Sequence, residues 1–164
     1  MDNSIVVDTC VLVDACTEEG DSTMDCLTIF AEINKGVVRL GVDSGDEILD
    51  EYKKTLIGLG DNTIAKIIRK YLAKERWRAT GERRIKTYIP IREDRVADLL
   101  SMGFHDDDIK FVRIAPLTGL RTIFSSDKRS FLDPTYSSWL QENLGVDTKH
   151  PSDFLECICR ISRP

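Results

Sequence analysis

The sequence lacks the features that mark membrane-spanning, secreted and zinc-binding proteins. It has no run of about 18 apolar residues and no basic stretch followed by an apolar one at its N-terminus. Its five cysteines are odd in number and lie mostly in apolar runs, which favours reduced, buried thiols over a disulfide framework. Cys157 and Cys159 are two apart, which is not a usual zinc spacing, and only two histidines are present to complete a site. We therefore expect a soluble, cytoplasmic protein with no membrane partner.

Low-complexity tracts and internal repeats are also absent from the sequence. Its 164 residues are enough for one domain with a substantial buried core. A content of 41% hydrophobic and 31% charged residues is the balance of a globular protein rather than a disordered one. We therefore expect a single domain over residues 1–164.

Short apolar runs alternate with segments of helical periodicity along the chain. The predicted strands cover residues 4–8, 37–42, 87–91, 121–126 and 144–146. The predicted helices cover residues 21–35, 63–77, 92–102, 108–115 and 135–143, and a capping box at Ser44–Glu47 opens another. This alternation predicts a three-layer α/β/α sandwich with a mainly parallel central sheet.

Several acidic residues lie near the ends of these predicted elements. Asp8 and Asp127 close strands, and Asp108 opens a helix. Glu51 lies within the helix that follows the capping box. Open parallel sheets form their sites at the carboxyl ends of strands, so these carboxylates are candidates for a site. Taken one at a time, such acids are more often helix caps, turn residues or surface charge.

Four short motifs contain these acids, in the order found in PIN-domain nucleases. They are IVVDTCVLVDAC at residues 5–16, ILDEYKKTL at 48–56, DDDIKFVRIA at 106–115 and IFSSDKRSF at 123–131. The ending HPSDFLECI is also similar to the family's closing strand-to-helix passage. The chain therefore resembles the PIN-domain family over nearly its whole length. It departs from the family at Cys10, where asparagine or serine is common, and in a long basic stretch between the second and third motifs.

The resemblance implies a site for Mg²⁺ or Mn²⁺, hard ions that prefer carboxylate oxygens. The implied catalytic and metal-binding residues are Asp8, Glu51, Asp108 and Asp127. In the third motif the spacing to a small alanine selects Asp108, with Asp107 as the second choice. Thr9 and Ser125 are candidates to orient these carboxylates through their hydroxyls, although capping and turn bonding are equally common roles for such residues.

The resemblance implies a metal-dependent endoribonuclease similar to the toxins of bacterial toxin–antitoxin pairs. RNA is the predicted substrate, with DNA left open. The resemblance implies an antitoxin protein as partner, and such toxins are often homodimers. A bound ion can lower the pKa of a water molecule and stabilise the charge of the transition state, so no histidine base is required. The alternative is a catalytically weak PIN-like module that binds nucleic acid or a protein.

Positive charge is concentrated in one stretch, which we call the basic segment (residues 61–86). The net charge is −5, yet residues 66–86 hold nine basic and two acidic side chains, so this part carries +7 and the remainder −12. An acidic site repels phosphate, and a nuclease therefore needs positive charge nearby. The predicted nucleic-acid-binding residues are Lys66, Arg69, Lys70, Lys74, Arg76, Trp77, Arg78, Arg83 and Arg84. The alternative is a solvated helix that balances an acidic body.

Changing Arg76, Arg78, Arg83 and Arg84 together to glutamine should weaken RNA binding and flatten its salt dependence, because neutralising phosphates releases counterions. The slope of log K against log salt should fall by roughly 0.7 for each phosphate that the variant no longer neutralises. Titration of a labelled single-stranded RNA at several salt concentrations measures both quantities. Mn²⁺ binding is the control and should not change. An unaltered affinity and salt slope would assign the basic segment to a protein contact instead.

Overall fold

The computed structural model describes residues 3–17, 23–73 and 93–161, which contain four strands and eight helices. The strands are β1 (Ser4–Val7), β2 (Arg39–Leu40), β3 (Thr122–Phe124) and β4 (Asp147–Lys149). The helices are α1 (Thr9–Cys16), α2 (Thr23–Lys35), α3 (Glu47–Gly58), α4 (Thr63–Ala73), α5 (Glu93–Ser101), α6 (Ile109–Ile114), α7 (Pro134–Leu144) and α8 (Phe154–Ile161). Three 3₁₀ turns adjoin them, at Asp106–Asp108, Ala115–Leu117 and Pro151–Asp153. None of the helices in these ranges is long and apolar enough to cross a membrane.

The strands form one parallel sheet in the order β2-β1-β3-β4. Ile5 is aligned with Leu40 across β1 and β2, and Val7 is aligned with Phe124 across β1 and β3. The chain passes from β1 to β2 on one side and from β3 to β4 on the other, so the switch point of the sheet lies between β1 and β3. The predicted α/β/α sandwich with a mainly parallel sheet is confirmed.

Strand β1 lies at the centre of the hydrophobic core. All four of its residues are buried, as a short apolar run predicts for a central parallel strand. Leu12 of α1, Ile29 of α2 and Leu56 of α3 are fully buried around it. Packed helices therefore fix the carboxyl end of β1, and with it the position of the residue that follows the strand.

The five cysteines are free thiols, as the sequence predicts. Cys16 and Cys26 are buried in the core, and Cys10 is half-buried. Cys159 is exposed, so the expectation of burial does not hold for every one of them.

The capping box predicted at Ser44–Glu47 is wrong. Asp46 precedes α3 with a left-handed φ of 64°, and its side chain makes no cap hydrogen bond. Asp43 caps the helix instead, since its Oδ2 accepts from the Glu47 N–H and its Oδ1 from the Ile48 N–H, each at 2.9 Å. One buried carboxylate thus satisfies two of the free N–H groups at the start of α3.

The last strand is also displaced from the predicted residues 144–146. Leu144 ends α7, and Gly145 follows it with a left-handed φ of 63°. This conformation terminates the helix, and pairing with β3 begins only at Asp147. The strand that forms is polar because it lies at the edge of the sheet.

Helix α4 covers residues 63–73 of the predicted helix 63–77. Its basic residues Lys66, Arg69 and Lys70 are exposed, as predicted. The helical pattern predicts that Ile67 faces inward, but the Ile67 side chain is 45% exposed. Ala65 of the same helix is buried. Residues 74–86 of the basic segment and the predicted strand at residues 87–91 lie outside the described residues.

Replacing Gly41 with alanine should destabilise the fold by about 1–3 kcal/mol, because the site is already fully packed. A Cβ at this position would lie 2.6 Å from Thr118 Cγ2 and 3.1 Å from the Ile5 carbonyl oxygen of β1. Gly58→Ala is the matched control, because a Cβ there meets nothing within 4 Å. It should stabilise α3 by up to about 1 kcal/mol. Urea unfolding of the two variants measures both effects, and an equally stable Gly41→Ala variant would contradict the close packing of residue 41 on β1.

Candidate active site

Asp8 follows β1 directly, at the switch point of the sheet. Its backbone N–H donates to the Phe124 carbonyl oxygen at 2.9 Å, which continues the pairing of β1 with β3. The residue is only 6% exposed. Its Oδ2 accepts hydrogen bonds from the Cys10 thiol and from the Ser125 hydroxyl, each at 2.8 Å. A buried acid at the end of a central strand is therefore oriented by donors from two segments.

Burial raises the pKa of Asp8, and the hydrogen bonds from Cys10 and Ser125 oppose this effect. Burial and the neighbouring charge of Asp8 raise the pKa of the Cys10 thiol to about 12. Cys10 therefore remains a neutral thiol that donates to Asp8, and it is not a thiolate nucleophile. The thiol also accepts from the Ser126 N–H at 3.2 Å, so it links the loop after β3 to the start of α1.

Glu51 reaches this region because the next residue in α3 is anchored on β1. The hydroxyl of Tyr52 donates to the Val7 carbonyl oxygen, one residue before Asp8, and the Tyr52 ring is fully buried. Burial raises the pKa of Tyr52 well above its usual range, with further contributions from the charges of Asp8 and Glu51. The Glu51 carboxylate accepts from the Thr9 hydroxyl. Both carboxylates thus lie around the same tyrosine at the end of β1.

Asp108 ends the 3₁₀ turn that leads into α6. Its Oδ2 accepts from the Ser130 hydroxyl at 2.7 Å. Burial, together with the charge of Asp8, raises the pKa of Asp108 to about 6, although the Ser130 hydrogen bond opposes this shift. Lys110, two residues after Asp108, pairs with Glu51. Glu51 also accepts from Thr9, next to Asp8, so contacts join the segments that carry the three acids. We call Asp8, Glu51 and Asp108 the acid cluster.

Aromatic rings beneath the acid cluster connect the elements that carry it. Tyr52 of α3 stacks on Phe111 of α6 with ring centroids 6.4 Å apart. Phe111 contacts Phe131 edge-on at 6.3 Å, and Phe131 contacts Phe104 in the same way at 5.3 Å. Such contacts between buried rings fix the relative positions of α3, α6 and the loop after β3.

Two other predicted acids are placed differently. Asp127 lies in the loop after β3, where its N–H donates to the Ser125 hydroxyl at 3.0 Å and its Oδ1 accepts from the Arg129 N–H at 2.8 Å. It is joined to Asp8 through Ser125 rather than by a direct contact. Asp107 is exposed and lines a neighbouring cleft. Of the two adjacent acids, Asp108 is therefore the one whose carboxylate interacts with Asp8.

Lys110 is a basic residue that the sequence predictions do not include. Its ammonium forms an ion pair with Glu51 Oε2 and donates to the Asp107 carbonyl oxygen. Its charge also lowers the pKa of Asp108, against the larger effect of burial. The chain itself thus places a positive group, the Lys110 ammonium, against the acid cluster.

The acid cluster suits Mg²⁺ or Mn²⁺ in chemical kind, since it offers carboxylate oxygens. Within residues 3–17, 23–73 and 93–161, however, no three acidic, histidine or cysteine side chains are placed to ligate a single ion. The carboxylates are bonded to protein donors, namely Cys10, Ser125, Thr9, Lys110 and Ser130. Mg²⁺ is commonly held by one or two carboxylates together with several waters, so the donor set fits such an ion.

Some of the residues that bond to the acid cluster can be recognised from the sequence, and others cannot. Ser125 and Thr9 lie close to motif acids in sequence, and their hydroxyls donate to Asp8 and Glu51. Ser130 follows Asp127 by three residues but bonds to Asp108, 22 residues earlier. Lys110 pairs with a glutamate in a different helix. No local spacing indicates these two contacts, because both depend on how α3, α6 and the loop after β3 pack together.

Replacing Asp108 with asparagine should remove the pH dependence that this carboxyl group gives to the free energy of unfolding. Because the pKa of Asp108 is raised from 3.8 to about 6 in the folded chain, its contribution is most favourable below the unfolded pKa and is lost as the pH rises through the folded one. Asp108→Asn should therefore exceed the wild type in unfolding free energy at about pH 7 by about 1 kcal/mol, after allowance for solvent screening. At about pH 4 the two should be nearly equal.

Urea unfolding in a chelator-containing buffer at both pH values measures this difference. Asp107→Asn is the matched control, because the Asp107 side chain is exposed. It should show no gain at either pH. A wild type and an Asp108→Asn variant that respond identically to pH would contradict the burial of the Asp108 carboxylate.

Comparison with known proteins does not assign the chain to a family. No model of a protein family matches it, and no curated protein matches it at a significant level. The function of the chain is therefore inferred from the fold, the acid cluster and the motifs of the sequence.

Proposed function

We propose that this chain is a divalent-metal-dependent nuclease of the PIN-domain type that hydrolyses phosphodiester bonds in RNA. One observation carries the proposal: contacts join three acids from separate segments near the carboxyl end of β1, next to the switch point of the sheet. Glu51 accepts from Thr9 beside Asp8, and it pairs with Lys110, two residues after Asp108. Parallel α/β sheets bind their ligands at this edge. Burial and the charge of Asp8 raise the pKa of Asp108, and acids with pKa values shifted in this way concentrate at functional sites.

The acid cluster would hold Mg²⁺ or Mn²⁺ through its carboxylates, with Asp127 as a further oxygen donor nearby. A bound ion of this kind lowers the pKa of a water molecule and stabilises the charge of the transition state and of the leaving oxygen. Cys10 and Ser125 keep the Asp8 carboxylate in one orientation, and Ser130 does the same for Asp108. Tyr52 keeps α3 against β1. These contacts give the site a fixed geometry, which catalysis requires.

RNA is the proposed substrate, and the basic segment is its proposed binding surface. Lys66, Arg69 and Lys70 support this idea because they share the exposed side of α4. Lys66 also pairs with Asp61 at 2.8 Å, an exposed ion pair that a phosphate could replace at little cost. The other proposed contacts, from Lys74 to Arg84, lie outside the described residues. DNA offers the same phosphate chemistry and is an alternative substrate.

The resemblance to toxins of toxin–antitoxin pairs supports a regulated role. We include in the proposal an antitoxin protein as partner, a homodimer as the assembly and the cytoplasm as the location. The free cysteines agree with a reducing compartment.

A second candidate is a PIN-like module that binds nucleic acid or a protein and cleaves slowly or not at all. The observation that favours it is the engagement of the acid cluster by protein donors, above all the ion pair between Lys110 and Glu51. The two candidates differ in one respect. Only the nuclease requires Mn²⁺ or Mg²⁺ to turn over RNA.

Asp8→Asn should lower RNA cleavage by more than about 100-fold, because loss of an outer partner of a metal ligand alone typically costs about 10–100-fold. The fold should survive. Cys10 and Ser125 both donate to one oxygen of Asp8, and an asparagine carbonyl oxygen can accept the same two bonds. The measurement is cleavage of labelled single-stranded RNA by the purified chain with Mn²⁺, with Mg²⁺ and with a chelator.

Asp50→Asn is the matched control, because Asp50 precedes Glu51 but its side chain is 69% exposed. This variant should cleave RNA like the wild type. The chelator should silence the wild type without changing its circular dichroism, since the core does not need an ion to fold. An Asp8→Asn variant with full activity, or a wild type that is inactive with either ion, would overturn the proposed nuclease.

A further inference from the structure

The Lys110 ammonium is held inside the site rather than on the surface. The Lys110 side chain is only 15% exposed, and that of Glu51 is 30% exposed. Besides Glu51, the ammonium contacts the Asp107 carbonyl oxygen and lies 5.2 Å from the centroid of the Phe111 ring. An ion pair on the surface contributes little to stability. The Lys110 ammonium instead makes three contacts in a half-buried site, one of them with an aromatic ring.

Both oxygens of Glu51 are engaged in this arrangement. Oε1 accepts from the Thr9 hydroxyl, and Oε2 is paired with Lys110. A carboxylate oxygen can accept from more than one partner, so a divalent ion that uses Glu51 would bind beside these two partners or replace one of them. Of the two partners of Glu51, the Lys110 ammonium is the one that a metal ion repels. The ammonium and the ion both carry positive charge and would lie next to each other.

We propose that Lys110 is an internal counter-ion that competes with the divalent ion for Glu51 and so sets the metal affinity of the site. The inference rests on the proposed nuclease function, whose metal dependence it explains in more detail. Lys110 is thus a regulating residue, whose role is to hold the acid cluster together until an ion takes its place. It is not assigned a contact with RNA.

The neighbouring cleft gives the displaced side chain a place to go. It has a volume of about 460 Å³, and Lys110 forms part of its wall. Glu47 and Asp106 line the same cleft, and both are exposed. Lysine carries its charge on a flexible stem, so rotation about side-chain bonds can carry the ammonium from Glu51 to this acidic lining. The positive charge of Lys110 would then be partly neutralised in both positions, by Glu51 in one and by the acidic residues of the cleft in the other.

Lys110→Met tests the inference, because methionine keeps an unbranched apolar stem against Phe111 and removes only the charge. Titration of Mn²⁺, followed by its electron paramagnetic resonance signal, measures the affinity without RNA. The variant should bind Mn²⁺ roughly 10-fold more tightly than the wild type, which is the scale on which outer partners of metal ligands act. In RNA cleavage the Mn²⁺ concentration for half-maximal rate should fall by a similar factor.

Lys53→Met is the matched control. Lys53 also lies close to Glu51 in sequence, but it pairs with the exposed Asp50 at 2.8 Å. Its loss changes the net charge equally and should leave Mn²⁺ affinity as in the wild type. Lys110→Arg keeps the charge and should not tighten Mn²⁺ binding. Thermal unfolding adds an independent readout, since added Mn²⁺ should raise the Tm of Lys110→Met more than that of the wild type.

The outcomes separate this inference from the proposed function. Equal or weaker Mn²⁺ binding by Lys110→Met, beside a wild type that binds Mn²⁺ and cleaves RNA, would overturn the counter-ion role alone. A lower saturating rate with unchanged Mn²⁺ affinity would also overturn it and would assign Lys110 to the substrate phosphate. Absence of Mn²⁺ binding in the wild type and in every variant would overturn both proposals.

Discussion

The buried Asp8 carboxylate is the constraint around which the other parts of the site are arranged. The parallel sheet fixes its position, because β1 is central and its carboxyl end is enclosed by helices. A buried charge is costly unless it is hydrogen-bonded. Cys10 and Ser125 meet that need. The donors come from α1 and from the loop after β3, so satisfying one carboxylate also joins the two segments on either side of the switch point.

The position of α3 depends on a different contact, between Tyr52 and the backbone of β1. A tyrosine buried completely must find a partner for its hydroxyl, and it finds the Val7 carbonyl oxygen. Because the preceding residue in the helix is Glu51, this requirement brings a second carboxylate to the end of the strand. Stacking of Tyr52 on Phe111 then brings the start of α6, and with it Asp108. Packing of aromatic rings thus assembles acids that repel one another.

The sequence was sufficient to predict the sandwich, the central position of β1 and the candidate acids, because strand patterns and short motifs are local. It could not predict that Asp43 caps α3, since the cap depends on a left-handed turn at Asp46. Nor could it predict the contacts of Ser130 with Asp108 and of Lys110 with Glu51, which join residues 22 and 59 positions apart. These contacts depend on the packing of α6 against α3, and local patterns carry no information about such packing.

Charge balance connects the acid cluster to the rest of the chain. The chain as a whole is acidic, with a net charge of −5, and a phosphate that approaches carboxylates is repelled unless cations intervene. Among the described residues, the Lys110 ammonium is such a cation inside the site, and the chain concentrates many more in the basic segment. A single ammonium can neutralise Glu51, but it cannot also offset Asp8 and Asp108, whose charges still raise one another's free energy. A divalent ion brings twice the charge to the same place. In the proposed nuclease, such an ion would let a phosphate approach an edge of the sheet that the acids alone leave negative.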